Sequence, residues 1–430
     1  MKIQERLPKV LVLDINSWRE DGTAHTVMNI FSCWNPNSLA HIYTKPSLPY
    51  TKVASRFFQI NENAVLKSLL MPWTVVGKEV RSLNYADAGV ANENARRARV
   101  RGHNTGLLYL IREFVWLFGH WRGRRLRGFI KDFNPDLVFA CIQPTVFSGW
   151  IERYVIKQAG TPFVCFLADD NYSYDSCIGI FSYIHRFWLR KNVKWLSEHC
   201  GQMFVIVEKE KEDTDYRFGT DSVILTKGID FTNRPYIPHR VNTPIRIVYT
   251  GSLIIGRDKT MAAIADAINI INSNEVKAEL FIYSPDLPKD HILKRLETGC
   301  SHFMGFINRS EVDKIQRDAD IVVFAEALDG KQANIAKLSF STKITDYLAN
   351  GKCVFAVGRE FIAPIDYFIR NDSAIVATSA NQIEDRLKYI IEHPSIILEY
   401  GKKAYDCALR NHEKRMVDNR FINTMISAVK

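Results

Sequence analysis

The chain has 430 residues, 47% hydrophobic and 24% charged, with a formal net charge of +10. That length exceeds one compact core and implies two domains of about 200 residues, and the near-average composition excludes a disordered chain or a fibre. The positive balance favours an acidic partner, whether nucleic acid, an anionic membrane surface or phosphorylated small molecules, without choosing among them.

Eight cysteines (Cys33, Cys141, Cys165, Cys177, Cys200, Cys300, Cys353, Cys407) show no C-x-x-C pair and no histidines at zinc spacing. They read as core thiols in a reduced, cytoplasmic setting. The charged start Met1 to Lys9 leads straight into an apolar strand at Val10-Leu11-Val12-Leu13. No run of eighteen uncharged apolar residues follows, so a soluble protein or one held on a membrane surface is expected.

The first half alternates strands and helices. A strand over Val10 to Asp14 precedes a loop, Ile15 to Thr23, and a helix with Val27, Ile30, Phe31 and Trp34 on one face. That loop holds only Gly22, so it is no G-x-G-x-x-G phosphate fingerprint. From Gln59 to Asn104, with the polar run Asn92 to Arg101, poor periodicity predicts loops and short helices. Order returns with a helix over Leu107 to Gly119 and the basic stretch Arg122 to Arg127, then a strand over Leu137 to Cys141. Trp116, Phe118 and Trp121 beside these cations, and the similar mixture in residues 187–195, mark segments 116–131 and 187–195 as a candidate surface for anionic lipid. A solvated basic face is the plainer reading. The strand Phe163 to Leu167 ends in Asp169-Asp170-Asn171-Tyr172, which places two carboxylates at the functional edge of an α/β sheet. They suit a general base or sugar-hydroxyl contacts, or else a cap for the next helix; as a metal signal two adjacent acids are weak.

Further strands and helices lead to residues 226–244, whose Gly228, Pro235 and Pro238 without periodicity read as a linker. A second α/β series starts at Ile245 to Tyr249 and runs into Thr250-Gly251-Ser252-Leu253 and Gly256-Arg257-Asp258-Lys259, where backbone and cations suit a diphosphate. After a strand over Ala278 to Tyr283, a helix capped by Ser310 and a strand ending at Glu326, the most informative stretch is Ser339 to Gly351. Ile344, Tyr347 and Leu348 recur at helical spacing, Ser341 or Thr342 caps the first turn and Gly351 stops the helix. A helix N-terminus at the carboxyl edge of a parallel sheet, with Ser341, Thr342 and Lys343, is suited to phosphate or diphosphate, and Asp346 to a sugar or ribose hydroxyl. The plainer reading is a capped surface helix. A last helix over Glu413 to Ala428 offers Met416, Phe421, Ile422, Met425 and Ile426 as a packing face.

Taken with Val248-Tyr249-Thr250-Gly251-Ser252-Leu253, Phe303-Met304-Gly305-Phe306 and Ala319-Asp320-Ile321-Val322-Val323, the stretch Ser341 to Gly351 resembles GT-B glycosyltransferases, close to the bacterial family-4-like group. The resemblance implies an α/β fold of two Rossmann-like domains whose parallel sheets face a cleft: residues 1–225 on the acceptor side, the linker 226–244, residues 245–411 on the nucleotide-sugar side, and a helix 412–430 packing back on the first domain. Gly251, Ser252, Arg257, Ser341, Thr342 and Lys343 would surround the diphosphate. Asp346 stands where such enzymes carry the second glutamate of an E-x7-E motif, and the first position is Leu338, so Glu326 is taken as the substitute carboxylate. Asp169, Asp170 and Glu326 are the catalytic candidates. No metal or other cofactor is expected, since fixed donors can stabilise the departing diphosphate.

The function implied is sugar transfer from a nucleoside-diphosphate sugar to a glycan or lipid-linked saccharide, with retention, in surface polysaccharide synthesis. The expected location is cytoplasmic and peripheral on the inner face of the plasma membrane. A sugar-nucleotide epimerase of the same fold, and a noncatalytic nucleotide-sugar or carbohydrate binder, are the alternatives. Nucleic acid is not expected as a partner, because no zinc, helix-turn-helix or RNA-binding aromatic signature accompanies the charge.

Overall fold

In a computed structural model, residues 7–20, 25–83 and 106–429 are described. Gly22 and the run Asn92 to Arg101 lie outside the described residues. The chain divides into two compact units. The first takes the described residues up to Ile206, with Glu210–Lys227 and those from Val417 on; the second takes Val207–Lys209 and Gly228–Met416.

The first unit holds strands β1 (Val10–Leu13), β2 (Leu39–Tyr43), β3 (Arg56–Gln59), β4 (Lys78–Val80), β5 (Leu137–Cys141), β6 (Phe163–Leu167), β7 (Gln202–Val205) and β8 (Val223–Ile224). Their order in the sheet is β4-β3-β2-β1-β5-β6-β7-β8, parallel throughout except β4 against β3. β1, β5 and β6 are buried along their whole length, which is why they read as unbroken apolar runs rather than alternating ones. The helices are α1 (His25–Phe31), α2 (Glu62–Leu70), α3 (Gly106–Phe118), α4 (Arg124–Phe133), α5 (Val146–Ala159), α6 (Ile180–His199) and α7 (Glu208–Phe218).

β2, β3 and β4 occupy a region in which no strand is legible by pattern. β2 is short and its inner positions include His41, whose polar side chain is fully buried, so apolar alternation is absent. Trp116, Trp121, Leu126, Phe129 and Ile130, within the segment expected to meet lipid, instead pack in the first core.

The second unit carries β9 (Ile245–Thr250), β10 (Ala278–Tyr283), β11 (Ser301–Gly305), β12 (Ile321–Ala325), β13 (Cys353–Val357) and β14 (Ile375–Ala377) in the all-parallel order β11-β10-β9-β12-β13-β14. Around it lie α8 (Arg257–Ile271), α9 (Asp290–Leu296), α10 (Arg309–Arg317), α11 (Gly330–Ala333), α12 (Thr342–Ala349), α13 (Ala363–Arg370), α14 (Asn381–Glu392) and α15 (Ser395–His412). α10 is capped by Asn308 in a capping box with Glu311, not by Ser310. Both residue types cap helices, and Glu311 three residues after Asn308 is the deciding partner.

The last helix, α16 (Lys414–Val429), inserts Phe421 among Phe31, Trp34, Phe139 and Phe204, with ring centroids 5.0 to 6.1 Å apart. Val417 and Met425, one turn to either side, are buried with it, whereas Ile422 and Ile426 are half-buried. Among the described residues no helix is long and apolar enough to cross a membrane. All eight cysteines are free thiols.

Removing the Phe421 ring leaves a cavity walled by four aromatic side chains. Phe421→Ala should cost about 3–5 kcal/mol in thermal or denaturant unfolding, with secondary structure retained below the transition.

Candidate functional site

In the second sheet the strand order reverses at β9, which has β10 on one side and β12 on the other. The crevice outside the carboxyl ends of two such strands is where open α/β sheets bind ligands. The segments leaving β9 and β12 there are Gly251 to Gly256 and the residue Glu326.

The β9 loop is bent by two successive left-handed residues, Ile255 (φ 59°) and Gly256 (φ 77°). A β-branched residue in that region is strained and persists only where its surroundings hold it. The bend delivers Gly256 as the N-cap of α8, and Arg257 as the first residue of that helix. Arg257 then reaches Glu326 with a fork of two bonds, Nε to Oε2 at 2.8 Å and Nη2 to Oε1 at 2.7 Å. Burial works against the guanidinium's charge, but the two Glu326 bonds outweigh it and leave Arg257 more strongly protonated than usual. Glu326 itself is buried, and its backbone is fixed by Glu326 N–H to Val357 O (2.8 Å) and by Thr260 Oγ1 donating to its carbonyl (2.8 Å).

Lys343 enters from the other side. Ser341 caps α12, its hydroxyl accepting from Lys343 N at 3.4 Å, and Ile344, Tyr347 and Leu348 bury the opposite face of the helix. The Lys343 ammonium comes so close to the β9 loop that a Cβ on Gly251 would lie 2.0 Å from it. It also stands 5.8 Å from the centroid of the Tyr249 ring. Lys343 is half-buried; burial first, and the neighbouring Arg257 charge second, lower it to about 8, against the opposing charges of Glu326 and Asp286. A partly desolvated ammonium beside a fixed guanidinium can receive an anion, which offsets the desolvation and the repulsion between the two cations.

Ser252 donates its hydroxyl to Asp286, which also accepts from Leu253 N at 3.1 Å, while Tyr249 Oη donates to Ser252 O at 2.6 Å. Asp286 is the acid of a Ser-Pro-Asp turn just past the strand Ala278 to Tyr283, the signal in sequence by which it can be found. Thr342 and Asp346 are half-buried on α12. Leu338, the register position of the expected glutamate, is 2% exposed and belongs to the core. The second unit thus brings together Gly251, Ser252, Arg257, Glu326 and Lys343 at one sheet edge.

Asp169 and Asp170 follow β6 in the first unit. Asp169 is exposed, whereas Asp170 is buried and occupied: its Oδ1 accepts from Tyr172 N (3.2 Å) and Ser173 N (2.8 Å), and its Oδ2 from the Ser173 hydroxyl. Asp170 therefore shapes a turn. The first sheet also reverses its order, at β1, and the crevice between β1 and β5 holds Asp14, which accepts from Gln143 Nε2 at 3.1 Å. Burial raises the Asp14 carboxyl to about 6. That carboxyl was passed over because a lone acid ending a strand is indistinguishable in sequence from a turn residue. Among the described residues no group of three His, Cys, Asp or Glu side chains is placed to hold a metal ion.

No known protein-family model and no curated protein matches the sequence. Solved structures do match in fold. HepE of Anabaena, crystallised in complex with UDP and glucose, is 11% identical with a TM-score of 0.63, over 98% of this chain and 100% of that one. Sucrose-phosphate synthase from Thermosynechococcus elongatus is 10% identical with a TM-score of 0.62, over 97% and 99%. The UDP-forming α,α-trehalose-phosphate synthase from Burkholderia vietnamiensis is 11% identical with a TM-score of 0.59, over 97% and 100%. The fold is that of GT-B glycosyltransferases.

Lys343 supplies a test of the site's electrostatics. Between about pH 8 and the ordinary lysine value of 10.5, the unfolded chain holds a proton that the folded one has released, so stability rises with pH across that window. Below it the crowded charge destabilises the fold. Lys343→Met should therefore raise stability near pH 7 by on the order of 1 kcal/mol, allowing for solvent screening, and the gain should shrink as pH climbs through the window. Thermal unfolding of both proteins from pH 6 to 10.5 measures it.

Proposed function

We propose that the protein is a glycosyltransferase that moves a sugar from a nucleoside-diphosphate sugar to a glycan or lipid-linked saccharide acceptor. The observation that carries this reading is the pair Lys343 and Arg257, held at the β9–β12 crevice around a glycine that leaves room for the ammonium. UDP and glucose in the HepE crystals, and the UDP-forming reaction in the name of the trehalose-phosphate synthase, support a nucleoside diphosphate as the anion.

Departure of the sugar puts negative charge on the β-phosphate. Lys343, Arg257 and the first-turn N–H groups of α12 are the donors assigned to that charge, with Ser341 and Thr342 beside them and Gly251 and Ser252 closing the loop side. Asp346 is assigned to the ribose. Because these groups are already oriented, the charge meets fixed dipoles, and no metal is invoked. Retention is the outcome the resemblance implies, with the departing diphosphate taking the acceptor's proton. The engagement of Asp170 in its own turn favours this over a base at that residue. Asp169 is left as the acceptor-side carboxylate. A cytoplasmic location and a part in surface polysaccharide synthesis complete the reading, in keeping with eight free thiols.

Lys343→Ala should lower donor turnover by about 100-fold or more and weaken UDP binding measured by calorimetry. Unchanged values for both would remove Lys343 from the site. Asp169→Asn, which spares the Asp170 turn, should raise the KM for acceptor while leaving nucleoside-diphosphate affinity as in the wild type.

A further inference from the structure

Among the described residues, the first unit leaves an apolar face bare. α3 contributes Leu107, Leu108, Ile111, Phe114 and Phe118, all more than a third exposed and Phe118 65% exposed. Their spacing of i, i+1, i+4, i+7 and i+11 is one helical stripe, opposite the buried Leu110, Glu113 and Trp116. The amino-terminal half of α6 repeats the spacing with Ile180, Phe181, Ile184 and Phe187. α2 and its following turn add Leu66, Leu70 (84% exposed) and Trp73 (79% exposed).

The three helices are neighbours. Arg112 of α3 pairs with Glu62 of α2 at 2.6 Å, and Phe114 of α3 meets Trp188 of α6 edge-on at 6.1 Å. α3 has 13 residues, so its stripe is about 20 Å long. Bare apolar surface on this scale is a binding surface rather than ordinary scatter.

Cations border the face. Lys67 lies between the exposed leucines of α2, and Lys191 of α6 sits over the Phe187 ring at 4.4 Å. Arg124, Arg125 and Arg127 of α4, the helix that follows α3 in sequence, are exposed and make no ion pair among the described residues. A second copy of this chain seated on the same face would bring like charges together. An anionic bilayer supplies both the apolar layer and the countercharge.

We propose that the exposed stripes of α2, α3 and the amino-terminal half of α6 form a face that docks in the plane of an anionic lipid bilayer, its side chains entering the headgroup boundary. This moves lipid contact away from Trp116 and Trp121, which are core residues. Docking stands whether or not the crevice at Lys343 transfers sugar.

The test is flotation of the full chain with vesicles of phosphatidylcholine alone or with phosphatidylglycerol, at low and high salt. The wild type is expected to float with the anionic vesicles, less so as salt rises, and hardly at all with the neutral ones. Ile111→Asp combined with Phe181→Asp should lower the bound fraction by about tenfold or more, since each change removes a large side chain from the lipid. Arg124→Glu/Arg125→Glu/Arg127→Glu should abolish the preference for anionic vesicles. Both variants should keep wild-type UDP affinity and melting temperature, as all these positions are exposed. Failure of the wild type to float at low salt overturns the proposal, as does undiminished flotation of the Ile111/Phe181 variant. A wild-type dimer that this variant converts to monomer, without any vesicle binding, would make the face a self-association surface and would equally overturn it.

Discussion

The bidentate bond between Arg257 and Glu326 is the constraint on which the donor-side edge depends. It ties the first residue of α8 to the residue that follows β12 across the point where the strand order reverses. A buried carboxylate needs a partner, and a guanidinium at the mouth of a helix needs orientation; each supplies the other's requirement. With that pair fixed, the β9 loop must turn through the left-handed Ile255 and Gly256. A side chain at position 256 would be strained by its left-handed backbone and would displace the end of the Gln332 side chain. The Lys343 ammonium then fits against Gly251, where the Arg257 charge disfavours its proton and the Glu326 and Asp286 charges favour it. The consequence is a crevice in which the Arg257 and Lys343 charges stand with those of Glu326 and Asp286, so that both cations are held at the edge where a diphosphate would enter.

The two sheets reach similar crevices by different chemistry. In the second, two cations, Arg257 and Lys343, stand with two carboxylates, Glu326 and Asp286. In the first, the reversal at β1 holds Asp14, whose burial keeps it near 6, so it exchanges protons close to neutrality. Glu152, buried on α5, is pushed to about 8 by burial first and by the Asp14 charge second. Two carboxyls in such an arrangement do not both ionise readily, and the one nearer water gives up its proton first. Asp169 and Asp170, adjacent in sequence, differ in placement: one is exposed, the other closes a turn.

How much of this was legible beforehand follows from what each signal reports. Buried central strands such as Leu137–Cys141 and Phe163–Leu167 were visible to the residue, because a strand covered on both faces must be continuously apolar. The helix beginning at Thr342 was visible for a different reason: a serine cap, a helical stripe and a stop at Gly351 (φ 64°) all agree. β2, β3 and β4 were not: β2 carries the buried polar His41 at its centre, and β3 and β4, of four and three residues at the sheet edge, carry little pattern. The aromatic residues of 116–131 misled because composition gives no direction. Trp116 and Phe118 are two residues apart on α3 and so face different ways, one into the core and one outward. Pairings such as Arg257 with Glu326, 69 residues apart, have no local signature at all.

Leu338 illustrates the same limit in the opposite direction. The E-x7-E register places a carboxylate there, yet the side chain is in the core, and the neighbouring Lys337 carbonyl accepts from Ala363 N at 2.8 Å. A charge at 338 would be buried without a partner and would cost several kcal/mol. The carboxylate at this edge is instead Glu326, on a strand end whose backbone is bonded on both sides. From there it reaches a guanidinium. The negative charge therefore sets the position of Arg257, and the buried Gln332 Oε1, which has no hydrogen-bond partner among the described residues, is left as a neutral acceptor beside the Gly256 backbone. An uncharged amide there accepts a hydrogen bond without opposing an incoming diphosphate, whereas a second free carboxylate beside Arg257 would compete with that ligand for the same cation.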